Sequence, residues 1–149
     1  MANTQTIISN SPQETQKVGE RLATSILNDR FLPRICCLYG ELGAGKTVFT
    51  QGFAKGLGLP SRLVSPTFII IKRYSLKNDT QYFYHVDLYR LQKIEDIENI
   101  GLFEIFNDKH AIVIVEWAER LEELIPDRKI DIRLTMTEET KRKIEIQYV

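Results

Sequence analysis

Apolar and polar positions along the 149-residue chain change their period several times, and each change predicts an element. Ser11-Pro12-Gln13-Glu14 reads as a capping box, with Ser11 accepting from a first-turn amide, Pro12 at the first helical position and Glu14 reaching back. Val18, Leu22, Ile26 and Leu27 then recur at helical spacing, so an amphipathic helix is expected to about Leu27. Residues 34–39 form a short apolar run stopped by Gly40, the pattern of a strand covered on both faces. Helical phase returns at Val48, Phe49, Phe53 and Leu57; Gly56 and Gly58 close that helix and Pro60 bars its continuation.

Further along, residues 68–74 and 81–87 are rich in β-branched and aromatic side chains and flank Lys77-Asn78-Asp79, a turn signal, so two strands and a hairpin are expected. The stretch 94–99 predicts a helix. Ala111-Ile112-Val113-Ile114-Val115-Glu116 is the clearest buried strand, followed by helix through Leu124 and a stop at Pro126. Ile130, Ile132 and Leu134, a polar turn at 137–140, then Ile144, Ile146 and Tyr148 alternate as a half-exposed antiparallel pair does. The sum is an α/β fold, one domain by length, with a helix before the first core strand and a β-rich end.

Charge does not alter this picture: 20 basic and 20 acidic side chains balance. Any role at RNA would then run through partners or a local patch. Cys36 and Cys37, adjacent within an apolar run, suit buried thiols in a reducing compartment. With no basic leader at Met1 and no run approaching the ~18 apolar residues of a membrane span, a cytoplasmic protein without membrane attachment is expected.

The chemistry concentrates in Gly40-Glu41-Leu42-Gly43-Ala44-Gly45-Lys46-Thr47, a full match to G-x-x-x-x-G-K-[ST]. In that pattern glycines let backbone amides approach phosphates, the lysine neutralises charge and the hydroxyl ligates magnesium. From average residue usage the match arises by accident in about one chain of this length in 200. Its place between an apolar strand and a periodic helix lowers that further, because a helix amino end adds its own field to anion binding. The fold expected is therefore a mainly parallel P-loop NTPase-like sheet flanked by helices, with a C-terminal antiparallel hairpin.

Such a site needs a second carboxylate on the magnesium side, normally at the end of a neighbouring buried strand. Glu116 is placed for it; the alternative is a side chain that has simply emerged into solvent. Asp87 closes another expected strand and either orients the attacking water, or a metal-bound water, or caps the turn before Leu88-Tyr89-Arg90. His85 more often satisfies a buried hydrogen bond than does chemistry. Ser65-Pro66-Thr67 is either a mobile loop at the γ-phosphate or an extended strand entry, and Trp117, the sole tryptophan, is of a type more often used in core or edge packing but draws interest from standing beside Glu116. Guanine-specific members carry Asn-Lys-x-Asp on a late strand, and its absence favours adenine.

Together, the P-loop, Ser65-Pro66-Thr67-Phe68, His85-Val86-Asp87-Leu88-Tyr89-Arg90 and Glu116-Trp117 resemble, in order and spacing, the bacterial TsaE (YjeE) family from about Ser11 to the C-terminal hairpin. The resemblance implies an ATP- and Mg²⁺-dependent ATPase that serves threonylcarbamoyladenosine modification of tRNA with two partners, TsaB and TsaD, and meets tRNA only through that assembly. It implies a nucleotide-binding set of Ser11, Gly40, Glu41, Leu42, Gly43, Ala44, Gly45, Lys46, Thr47, Val48, Thr67, Trp117 and Arg142. It further implies Mg²⁺ ligation by Thr47 and Glu116 and a catalytic set of Lys46, Asp87 and Glu116. Helix capping alone also explains Ser11, and Val48 stands where the family usually has a second threonine. Two other functions remain open on the residues: a binding module gated by ATP occupancy, and a small-molecule kinase, for which the short segment after Glu116 leaves little room.

Overall fold

The computed structural model describes residues 3–60, 70–76 and 80–149. Its seven strands form one sheet in the order β1-β7-β6-β2-β5-β4-β3. β6 (Ile130–Glu138), β2 (Ile35–Tyr39), β5 (Ala111–Glu116) and β4 (Tyr82–Asp87) are mutually parallel at the centre. β7 (Lys141–Tyr148) and β1 (Asn3–Ser9) extend one side antiparallel, and β3 (Ile71–Ser75) pairs antiparallel with β4 at the other edge. Among the described residues no helix is long and apolar enough to cross a membrane.

Both faces of the centre are covered. Helices α1 (Pro12–Asn28) and α2 (Lys46–Gly56) pack Val18, Leu22, Ile26, Phe49 and Phe53 over Cys36, Leu38, Ile112, Ile114, Ile130 and Ile132. The opposite face of β2, β4 and β5 lies beneath Ile97 of α3 (Ile94–Glu98), Leu102 of α4 (Leu102–Phe106) and Leu121 of a 3₁₀ segment, Ala118–Leu124. All five residues of β2 and all six of β5 are buried, which is why their sequences run apolar without alternation. β6 and β7 alternate because one of their faces carries no helix, and Ile132, Leu134, Ile144 and Ile146 point to the covered side.

Several local expectations need amendment. The Glu14 carboxylate reaches back to the Asn10 amide, one residue before the cap, while Ser11 Oγ accepts from the Glu14 amide at 3.2 Å. Leu27 is 44 % exposed, outside the buried stripe of α1. An edge strand, β1, precedes the first helix, and a short helix, α4, follows α3. The segment after Glu116 coils as 3₁₀ with a break at Glu122, whose φ is 50°. The turn at residues 77–79 and the start of the expected strand at 68–69 lie outside the described residues.

Candidate functional site

The glycine-rich segment bridges the end of β2 and the start of α2. Gly45 is the N-cap of α2 at φ 104°, ψ 15°, a left-handed conformation that suits glycine, and no side chain caps the helix. The first-turn amides of α2 are thus left to face whatever the loop encloses. Gly40 is required for a different reason: a Cβ there would lie 2.7 Å from the Leu134 carbonyl oxygen of β6. Leu42, at the loop tip, is 76 % exposed, so its side chain points away from the loop's interior and only its backbone can line it.

Lys46 is 6 % exposed, and its ammonium donates to the carbonyls of Gly40 and of Glu41, the latter at 3.0 Å. It also stands 4.1 Å from the centroid of the Trp117 ring. Burial lowers its pKa, while the charges of Glu119, Glu116, Asp87 and Glu41 pull it back up. Glu119, half a turn beyond Trp117, is a neighbour that the sequence did not single out. Its own carboxyl is raised by partial desolvation against its backbone amide and the pull of Lys46, Arg120 and Arg133.

Glu116 ends β5 and is 2 % exposed, so it has not emerged into solvent. The Thr47 hydroxyl donates to its Oε1 at 3.4 Å, and its Oε2 meets His85 Nε2. In the parallel ladders Glu116 pairs with Leu38 on β2 and with Asp87 on β4, so both carboxylates arrive at the carboxyl edge from adjacent strands. Asp87 Oδ1 accepts from the Tyr89 amide at 3.0 Å, so the turn-capping alternative is realised, and its charge reaches Lys46 as well. His85 spends Nε2 on a buried hydrogen bond, as its residue type suggested.

A hydroxyl and a carboxylate oxygen converging beside a phosphate loop suit Mg²⁺, a hard cation that takes one or two protein oxygens and fills its sphere from phosphates and water. Among the described residues no cluster of three His, Cys, Asp or Glu side chains forms a metal cage of its own. Thr47 and Glu116 fit the smaller task.

Beside them Trp117 holds φ at 60°, a costly conformation for a large side chain. Its ring lies 5.2 Å from Tyr89 and 5.4 Å from the Arg120 guanidinium. Arg120 Nη1 donates to the carbonyls of Leu88 at 3.3 Å, Leu91 at 3.2 Å and Tyr89, tying the turn after Asp87 to the segment after Glu116. Nothing in the spacing of the sequence announces this clamp, because it joins two loops through backbone oxygens.

On the other flank of α2, Ser11, Thr15, Gly45, Val48, Thr140 and Arg142 line a cavity of about 140 Å³. Arg142 Nη1 donates to the carbonyls of Glu138, Glu139 and Lys141, and Nη2 to that of Gly43 at 3.2 Å, so the β6–β7 turn is fastened to the phosphate loop. The structure thus brings Ser11, Val48 and Arg142 together at one end of the P-loop, and Trp117, Asp87 and Glu116 at the other. Thr67 lies outside the described residues. Residue spacing does not mark Thr15 and Thr140, because only the meeting of α1 with the last hairpin makes them neighbours.

The family model described as "Threonylcarbamoyl adenosine biosynthesis protein TsaE" matches residues 9–144. The chain belongs to the TsaE family. Among curated TsaE relatives, the tRNA threonylcarbamoyladenosine biosynthesis protein TsaE of Bacillus subtilis (strain 168) is 37 % identical over 134 residues, covering 90 % of this chain and 79 % of that protein. That of Rickettsia bellii is 33 % identical over 98 % of this chain and 96 % of its own length, and that of Aquifex aeolicus 34 % over 94 % and 93 %. The crystal structure of Bacillus subtilis YdiB matches all of this chain and 88 % of its own with a TM-score of 0.78 at 33 % identity. As a TsaE-family member the chain is tied to threonylcarbamoyladenosine biosynthesis by both the family model and the relatives.

Proposed function

We propose that the chain is a single cytoplasmic ATP-binding domain that hydrolyses Mg²⁺-bound ATP to support threonylcarbamoyladenosine formation in tRNA, together with TsaB and TsaD. The observation that carries the reading is the meeting of Thr47, at the start of the P-loop helix, with the buried Glu116 from the neighbouring strand. A carboxylate so buried is costly unless compensated, and a cation beside it supplies compensation. Lys46 and the uncapped amides of α2 supply donors and positive potential for the phosphates. In this assignment the metal neutralises phosphate charge when bound. Asp87, one strand over, accepts the hydrogen bond that orients a water, and Ser11, Val48 and Arg142 enclose the adenosine end. Trp117 closes the opposite end over Lys46. In this reading the threonylcarbamoyl transfer itself belongs to a partner, as the resemblance to the family implies.

The test is phosphate release by the chain reconstituted with TsaB and TsaD, with and without Mg²⁺. The expected result is metal-dependent turnover that Lys46→Ala abolishes; equal turnover by wild type and Lys46→Ala sinks the proposal. A second reading, in which ATP occupancy is the signal, draws on the Asp87 carboxylate being spent in part on the Tyr89 amide. Under it, Asp87→Asn stops hydrolysis yet sustains tRNA modification; under the first, modification stops with hydrolysis.

A further inference from the structure

His85 is a buried polar residue of this region for which the hydrolytic assignment has no use, and its surroundings are specific. It is 1 % exposed, two residues before Asp87 on β4, and pairs with Ile114, two residues before Glu116 on β5. Paired residues of parallel strands project to the same face, so the imidazole and the Glu116 carboxylate occupy one side of the sheet. There Nε2 meets Glu116 Oε2, while Nδ1 is buried with no partner among the described residues. A carboxylate only accepts, and the Nε2–H tautomer of the ring supplies the donor. The hydrogen bond is therefore donated by the ring and accepted by the carboxylate.

The ring plane is fixed from below. Phe83 stacks on His85 with centroids 6.4 Å apart and planes 12° from parallel, and Phe53 of α2 packs on Phe83 at 5.7 Å. A line of rings thus runs from the P-loop helix to the carboxylate. With Oε2 held by His85, Oε1 is the oxygen that faces the Thr47 hydroxyl.

We propose that His85 is a positioning residue for the magnesium-side carboxylate: its Nε2–H holds Glu116 Oε2 so that Oε1 is presented beside Thr47. The proposal rests on the nucleotide reading above and adds to it the group that aims the carboxylate. Outer-shell donors of this kind shift metal affinity by about 10- to 100-fold when removed. Packing alone would give His85 no such influence.

The experiment measures ATP binding by titration calorimetry in excess Mg²⁺ and in EDTA, and takes the ratio of the two Kd values as the metal coupling. His85→Phe keeps the ring stack and deletes the donor; His85→Gln keeps an amide donor. The expected outcome is a coupling lowered about 10- to 100-fold in His85→Phe, partly recovered in His85→Gln, with binding in EDTA unchanged. In a Glu116→Gln background, His85→Phe should lower the coupling no further, as two residues acting through one contact require. Should His85→Phe fail to fold alone, His85→Gln and the Glu116→Gln pair, which buries no charge, carry the comparison. Wild-type coupling in folded His85→Phe, or an equal further loss in the Glu116→Gln background, overturns the proposal. A wild-type chain that binds ATP with no metal coupling overturns the nucleotide reading itself.

Discussion

Gly52 offers the sharpest quantitative test of how the P-loop helix is seated. It lies on α2 where that helix meets α1, and a Cβ built on it would stand 1.9 Å from the Gln16 carbonyl oxygen and 2.5 Å from the Gln16 carbonyl carbon. Gly19 and Gly56 are in the same condition, at 2.3 Å from the Phe49 and 2.5 Å from the Glu20 carbonyl oxygens, so the two backbones are in contact along three positions. Ordinary contact begins near 3.4 Å, and Gly52→Ala would therefore push the helices about 1.5 Å apart, since neither obstructing atom belongs to a side chain that can turn away. In a free helix the substitution favours folding by about 1 kcal/mol. Overpacking of this kind costs about 1–3 kcal/mol, and two unyielding backbones place it at the upper end. The expected balance is a loss of about 1–2 kcal/mol, or a Tm lowered by about 2–8 °C for a chain of this size. Because α1 carries Ser11 and Thr15 to the cavity beside Val48, ATP affinity should fall as well. Differential scanning calorimetry and a nucleotide titration read the two effects. A Gly52→Ala protein that melts at or above the wild-type temperature would refute the reasoning.

Three further expectations follow from other parts of the molecule. Glu119→Gln should raise stability at pH 7 and lose that advantage near pH 4: the folded carboxyl is raised above its ordinary 4.5 by desolvation, so the native state holds the proton longer and wild-type stability declines as pH climbs from about 4.5; melting curves across pH check it. Burial pushes the Cys37 thiol up to about 12, and Cys36 is raised by burial and by its neighbour, so neither should react with a disulfide reagent at pH 8 until denaturant is added. Arg142→Ala removes the donors that fasten the β6–β7 turn to Gly43 and should weaken ATP binding more than tenfold at a modest cost in Tm, whereas Arg142→Lys, lacking the planar fork, should recover little.

Much of this arrangement was legible because certain physical demands leave marks on local sequence. Burial on both faces makes β2 and β5 unbroken apolar runs, and a loop that must wrap a phosphate needs glycine where a Cβ or an ordinary φ is impossible, as at Gly40 and Gly45. Glu116 could be picked out because a carboxylate at the end of such a run needs compensation. β1 left no such mark: six of its seven residues are at least partly exposed, and its strand form comes from pairing with β7, far away in the chain. α4 has a single buried residue, Leu102, and is too short to show a period. In the site the roles of Glu119, Arg120 and His85 depend on inter-strand register and on loops meeting across the sheet, neither of which residue spacing encodes. Thr67, outside the described residues, remains an expectation of the sequence.

The pairing of β1 with β7 has a kinetic consequence. Ser9 sits opposite Arg142, and its hydroxyl bonds to the Ser11 carbonyl at 2.8 Å and to Thr15 Oγ1 at 2.7 Å, so the segment that starts α1 is anchored to a strand that follows every other strand in the chain. Closing so long a loop is a late and slow event in folding. The cavity between Ser11 and Arg142 is therefore finished only when both ends of the chain have come together, and a chain arrested before β7 forms would have its glycine-rich loop in place but no wall opposite Ser11.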